Sequence, residues 1–272
     1  MSIADHYRIF PGDAPRLSSI DPAYHAEHKN KSSAKDEIRT YAARLRELQY
    51  MLYAENRHGL LICLQAMNTG GKDGTIRHVL GYMNPQGCRV KSFKQPTTEE
   101  AAHDFLWRIH KETPSRGEVV IFNRSHYEDV LVVRVHNMVS PSQCLTRYEA
   151  INSFEKYLAD YGVHILKFFL HISKEEQLKR LRKRLSDPHR HWKISEADYS
   201  ERSYWDDYQR AYEDTIHHCS TEWAPWFVIP ANHKWFRNLT ISRIVIEYME
   251  QLDMHFPETK VDLDMLRSKF QQ

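Results

Sequence analysis

Residues 59–65, Gly-Leu-Leu-Ile-Cys-Leu-Gln, form an unbroken apolar run of strand length, and a turn with three glycines and a lysine follows at once. After that turn comes the helical run Arg77-His-Val-Leu80. A strand that is apolar at successive positions has to be covered on both faces, which is the situation inside a parallel sheet flanked by helices. A flexible turn between such a strand and a helix lets backbone N–H groups surround an anion, with the helix N-terminus and the Lys72 ammonium adding positive charge. The turn reads Ala66-Met-Asn-Thr-Gly-Gly-Lys-Asp-Gly74. Against the phosphate-loop pattern G-x-x-x-x-G-K-[ST], Ala66 replaces the first glycine and Asp73 the hydroxyl residue that normally holds magnesium, so a metal here must be held mostly by other groups. A plain strand-to-helix turn is the alternative. The preceding strand favours the phosphate loop, because such loops sit at the carboxyl edge of parallel sheets.

Similar apolar runs recur at 118–122, 163–170 and 226–230. Helical patterns lie between them at 99–111, 143–161, 174–185 and 196–218, with a closing helix at 238–252. A leading helix is expected from a capping box, Ser33 with Asp36, followed by Ile38, Tyr41, Leu45, Leu48 and Leu52. Strands alternating with helices indicate an α/β fold, a three-layer α/β/α sandwich with a mostly parallel sheet. With 272 residues, 41% of them apolar, and no linker, repeat or low-complexity tract, the chain is expected to be one domain over 1–272 with an N-terminal extension at 1–32.

The second run ends in Phe122-Asn-Arg-Ser-His-Tyr-Glu-Asp-Val130. Arg124 can neutralise charge on a transferring phosphoryl group, while Asn123 and either Glu128 or Asp129 can position hydrated magnesium. The same residues also suit a capped helix start. Further on, Leu178, Leu181 and Leu185 share one helical face, while Arg180, Lys183 and Arg184 share another. With the basic break Asp187–Lys193, this segment reads as a lid, about 178–200, closing over an anion. A solvated charged helix is the alternative.

Other classes are disfavoured. Charges nearly cancel, 38 Lys+Arg against 36 Asp+Glu, so no global field marks a nucleic-acid or membrane-surface binder. The four cysteines form no CxxC pair and the 17 histidines no HExxH pattern, which argues against a zinc site or a disulfide framework. No apolar stretch approaches the roughly 20 residues of a membrane span, and the first residues lack a signal peptide, so a cytoplasmic protein is expected.

The run 64–78, then Asn-Pro-Gln-Gly (84–87), Ser-Phe-Lys (92–94), His-Asp-Phe-Leu-Trp-Arg (103–108) and Ile-Phe-Asn-Arg-Ser-His-Tyr-Glu-Asp-Val-Leu-Val (121–132), resembles the polyphosphate kinase 2 family, specifically its class III branch. Residues 167–177 and 224–231 extend the resemblance, which covers roughly 35–255. It implies a P-loop kinase fold of the thymidylate-kinase type with a helical lid, Mg2+ as cofactor, inorganic polyphosphate as donor, and AMP and ADP as acceptors, with GMP and GDP to be considered. It also implies a homo-oligomer, dimer or tetramer, with no nucleic-acid or membrane partner. Matched position by position, Lys72 and residues Thr69, Gly70, Gly71, Asp73, Gly74 and Thr75 fall in the family's Walker A loop. Arg124 matches its Walker B arginine, and Arg180, Lys183 and Arg184 fall in its lid. Asn84, Gln86, Lys94, Asn123 and Arg134 are further candidates for phosphate or nucleotide binding. Asn123 agrees with the branch, which commonly reads Asn-Arg-Ser. Asn68 departs from the family, which carries an aspartate there with a metal-binding and catalytic role. The expected metal set is therefore Asn68, Asn123 and Glu128, with Glu128 supplying the carboxylate, and the amide at 68 is expected to slow turnover. Two other readings compete: an ATP-dependent nucleoside monophosphate kinase of the same architecture, and a nucleic-acid-binding module built on Lys179–Arg184 and Trp192.

Overall fold

A computed structural model describes residues 2–270. Six strands, β1 (Arg8–Ile9), β2 (Gly59–Gln65), β3 (Cys88–Ser92), β4 (Val119–Asn123), β5 (Val163–His171) and β6 (Trp226–Pro230), form one sheet in the order β1-β6-β5-β2-β4-β3. All neighbours are parallel except β1, which runs antiparallel to β6. Alternation along β2 explains the apolar run: Leu60, Ile62 and Leu64 enter one core, Leu61 and Cys63 the other, so both faces are dry.

In chain order the helices are α1 (Ile3–Tyr7), α2 (Lys35–Glu55), α3 (Lys72–His78), α4 (Thr98–Ala101), α5 (Trp107–His110) and α6 (Glu128–Val135). They continue as α7 (Pro141–Asp160), α8 (Lys174–Leu185), α9 (Glu196–Ser200), α10 (Trp205–Cys219), α11 (Lys234–Glu250) and α12 (Leu263–Phe270). The arrangement is the expected α/β/α sandwich. Chain order fans out to either side of β2, towards β4 and β3 on one flank and β5 and β6 on the other, so the carboxyl end of β2 is a topological switch point. Ligand crevices open at such points.

Several expectations are corrected. The Ser33–Asp36 capping box does not form, because the Ser33 hydroxyl donates to Asn30 O at 2.7 Å, and Ala34 becomes the N-cap of α2. The helix expected over 99–111 is split into α4 and α5, since Asp104 Oδ1 accepts the backbone N–H groups of Leu106 and Trp107 and restarts the chain. The one expected over 196–218 is split by a 3₁₀ turn at Glu201–Tyr204, where Arg202 is drawn to Lys174 O at 2.8 Å and Gln177 Oε1 at 2.9 Å. Leu185 does not share the packed face of α8 and is 60% exposed. Strands β1 and β3 and helices α1 and α12 were not foreseen as elements; α6 is the helix start offered as an alternative for 123–129, but its N-cap is Tyr127, with no side-chain hydrogen bond, rather than Asn123 or Ser125.

Candidate active site

At the end of β2 the chain turns so tightly that Gly70 N–H donates to Met67 O at 2.9 Å, with Thr69 in the left-handed region at φ +62°. Gly71, at φ +112°, caps α3. The left-handed backbone angle favours glycine there, and a Cβ, 1.9 Å from Arg237 Nη1, would also push that guanidinium aside. The Thr75 hydroxyl donates to Gly71 O at 3.3 Å and braces the loop rather than facing a ligand. Lys72 Nζ donates to Ala66 O at 3.3 Å. Burial, and then the charge of Arg124, push its pKa down to about 8 against the pull of Glu128 and Asp73.

Across the gap, β4 delivers Asn123 and Arg124. Arg124 adopts φ +64°, unusual for a non-glycine residue, and its N–H donates to Leu64 O at 3.2 Å. Its guanidinium is half exposed and stands 3.9 Å from Glu128, the first residue of α6. Asn68, Lys72, Arg124 and Glu128 line one cavity of about 210 Å³ with Leu131, Tyr208 and Tyr212. A wider depression lined by Trp107, His110 and Lys111 shares no residue with it.

Other candidate residues are not brought to this cavity. Asn123 donates to Asp73 Oδ1 at 3.0 Å. Asp73 also pairs with Lys193 at 2.5 Å, and although burial works against its charge, these two partners hold its carboxyl below the usual range. Asn84 caps a 3₁₀ turn at Pro85–Gly87, accepting from Gln86 N at 3.0 Å, and Gln86 stays in that turn. The Lys94 side chain is exposed and its carbonyl receives Arg108 at 2.8 Å. Arg134 ties α6 to α10 through Asp214 and to α7 through Tyr148.

The segment expected to be a lid packs on the glycine-rich turn. The expected exposed cationic face is corrected here: only Lys183 of the three is exposed. Arg180 donates to the carbonyls of Thr69 (3.1 Å), Gly70 (2.9 Å), Ala231 (2.5 Å) and Asn232 (3.2 Å), and its Nε donates to the Glu176 carboxylate at 2.8 Å. Arg184 donates to Lys193 O at 3.0 Å and Asp198 Oδ2 at 3.3 Å. Asp198 in turn accepts the Asn68 amide, and Gln177 Nε2 donates to Asn68 O at 3.2 Å.

Three residues near the loop escaped sequence reading. Asp198 and Lys193 lie more than 100 residues from their partners, and although Lys193 falls in the basic break, nothing local points either residue to Asn68 or Asp73. Arg237 is detectable in retrospect as a lone cation among the apolar positions of α11. It is buried, burial and then Arg180 push its pKa down to about 9, and among the described residues Nη1 has no hydrogen-bond partner.

No group of three or more His, Cys, Asp or Glu able to hold a metal exists among the described residues. Magnesium, however, often takes one or two protein oxygens with waters and substrate phosphates. Glu128 and Asn68 share the cavity, and since the Asn68 nitrogen is taken by Asp198 its oxygen is free to face a cation. That minimal set fits magnesium. Asn123, turned to Asp73, is not part of it.

A mostly parallel sheet with a glycine-rich turn at its switch point, between a buried strand and a helix, has the layout of a P-loop α/β fold. The family profile described as Polyphosphate kinase 2 (PPK2) matches residues 28–257. The chain is 51% identical over 253 residues to the AMP/ADP-polyphosphate phosphotransferase of Meiothermus ruber, covering 93% of this chain and 95% of that one. It is 45% identical to the ADP-polyphosphate phosphotransferase of Rhodopseudomonas palustris, covering 93% and 92%. The crystal structure of polyphosphate kinase 2 from Arthrobacter aurescens TC1 superposes with a TM-score of 0.95 at 42% identity, covering 99% of this chain and 96% of that one. The chain belongs to the polyphosphate kinase 2 family.

Proposed function

We propose that this protein transfers phosphoryl groups between inorganic polyphosphate and adenosine mono- or diphosphate. The observation that carries the reading is the convergence of Asn68, Lys72, Arg124 and Glu128 on one cavity at the carboxyl end of β2, in a chain whose relatives are named for that transfer. A terminal phosphate oxygen of the acceptor attacks the last phosphorus of the polyphosphate. A new P–O bond forms as the bond to the neighbouring phosphate breaks, and the electron pair leaves on the shortened chain. Such a reaction asks the protein for positioning and charge neutralisation more than for covalent chemistry. Lys72 and the backbone N–H groups of the turn hold phosphate oxygens, and the half-exposed Arg124 meets charge on the transferring group. Glu128 and the Asn68 oxygen would hold magnesium, which when bound neutralises phosphate oxygens.

The class III reading adds that AMP and ADP are both accepted, and the two relatives differ on this point: one is named for both, the other for ADP. Assembly as a dimer or tetramer belongs to the same reading and is tested by light scattering. The deciding experiment incubates the purified, nucleotide-free chain with polyphosphate, magnesium and AMP, ADP, GMP or GDP separately, with no ATP added, and follows products by anion-exchange chromatography. Formation of ADP and ATP is expected. Transfer only when ATP is the donor would replace this reading by an ATP-dependent nucleoside monophosphate kinase.

A further inference from the structure

Between Arg124 and Glu128 the chain passes through Ser125, His126 and Tyr127, whose side chains are buried. Tyr127 OH donates to Glu155 Oε1 at 2.8 Å. His126 Nε2 lies 3.1 Å from the same oxygen, and because a carboxylate only accepts, that nitrogen carries the proton. Lys167 completes the group, donating to Glu155 Oε2 at 2.5 Å, Tyr127 OH at 2.8 Å and Cys219 O at 2.6 Å, so all three ammonium protons are used. Ser125 Oγ receives Gln65 Nε2 at 3.2 Å and Tyr127 N at 3.3 Å. The group thus joins β5, α7 and the end of α10 to the segment that carries Arg124 and Glu128.

Two observations make this more than core packing. A buried ion pair is a poor source of stability, since well-packed apolar residues of the same volume do as well or better, so its presence calls for another reason. Arg124, meanwhile, is held at a left-handed φ while its guanidinium has one ion pair among the described residues, the 3.9 Å approach to Glu128. The cavity side therefore does little to fix either group, and the constraints on residues 124–128 come from behind.

We propose that the Lys167–Glu155 pair, acting through His126 and Tyr127, is a positioning unit that holds Arg124 and Glu128 against the phosphates; this rests on the phosphoryl-transfer reading above. Neither Lys167 nor Glu155 touches the cavity. The pair acts on rate by fixing the backbone on which the two cavity residues stand, and small displacements of such groups are costly in rate.

The test uses the full chain with Tyr127→Phe, His126→Leu and His126→Gln, each also made in an Arg124→Lys background. Turnover, KM, melting temperature and amide hydrogen exchange of the 123–129 peptide are measured. Tyr127→Phe and His126→Leu should each lower kcat by about 10-fold with KM within about twofold, a loss of alignment rather than of binding. His126→Gln, whose amide can still donate to Glu155, should recover most of the loss. In the Arg124→Lys background the further loss should nearly vanish, because residues acting as one unit are non-additive. Exchange across 123–129 should rise in Tyr127→Phe and His126→Leu. Equal losses in both backgrounds, or unchanged exchange across 123–129, would overturn the proposal. If the parent chain does not use polyphosphate, the activity reading fails by itself, and the exchange measurement still decides whether the buried pair holds this segment.

Discussion

The Asn68 amide donates to Asp198 across the gap between the glycine-rich turn and the lid, and Arg184 holds the other carboxylate oxygen at 3.3 Å. Asn68→Asp would set two carboxylates against each other there. In the absence of substrate and metal the contact should loosen, seen as faster limited proteolysis around residues 187–198. With magnesium and substrates present, the added anionic oxygen becomes a ligand or base. Turnover should rise by roughly 100-fold, the scale of a restored general base. Equal rates for the two proteins would remove residue 68 from the chemistry.

Lys72 should leave a signature in the pH profile. Its pKa of about 8 means that the free enzyme carries the ammonium below that pH and loses it above, so kcat/KM should fall on the alkaline side of about pH 8. Bound phosphates favour the charged form, so the corresponding limb in kcat should lie at higher pH. Lys72→Arg should abolish the limb while retaining measurable activity, and Lys72→Ala should cost ~100-fold or more with the protein still folded. An alkaline limb that survives in Lys72→Arg would assign it to another group.

Arg180 and Lys183 should separate stability from binding. Removing Arg180 takes a donor from the Thr69, Gly70, Ala231 and Asn232 carbonyls and leaves Glu176 only the exposed Lys179, 3.7 Å away. Arg180→Ala should therefore lower stability by about 2–4 kcal/mol. Lys183 is exposed, so Lys183→Ala should leave the melting temperature unchanged and weaken polyphosphate binding in a salt-dependent way. Thermal melts and a salt titration of KM read both effects; an unaltered melting point in Arg180→Ala would contradict the bracing role.

Glu128→Gln should impair magnesium-dependent turnover more than nucleotide affinity, since the Asn68 oxygen is neutral and cannot replace a carboxylate. Calorimetric nucleotide titration beside a magnesium titration of rate checks this. The same magnesium dependence in both proteins would exclude Glu128 as a ligand.

How much of this was legible depended on range. The four central strands could be read because burial on both faces leaves a continuous apolar run, as in Leu60 to Leu64. Strand β3, Cys-Arg-Val-Lys-Ser, could not, because it lies at the sheet edge with Val90 47% exposed and has no such run. Lys72 was legible because its whole loop is contiguous in sequence. Asp198, Arg237 and the Lys167–Glu155 pair were not, because each acquires its meaning only from a partner brought in by the fold. Arg180 shows the reverse error: a cation that helical spacing assigns to solvent is claimed by the carbonyls of the turn beneath it.

The sheet is also protected at both ends against unwanted growth. At one margin β1 is only two residues long, and two residues beyond it stands Pro11, which cannot donate to a ladder. At the other, β3 presents Arg89 and Lys91, both tied to Glu112, beside the open row of backbone groups. Short, proline-ended and charged margins resist the docking of a further strand. Crowded copies of this chain should therefore stay free of cross-β polymerisation, leaving the sheet private to each chain.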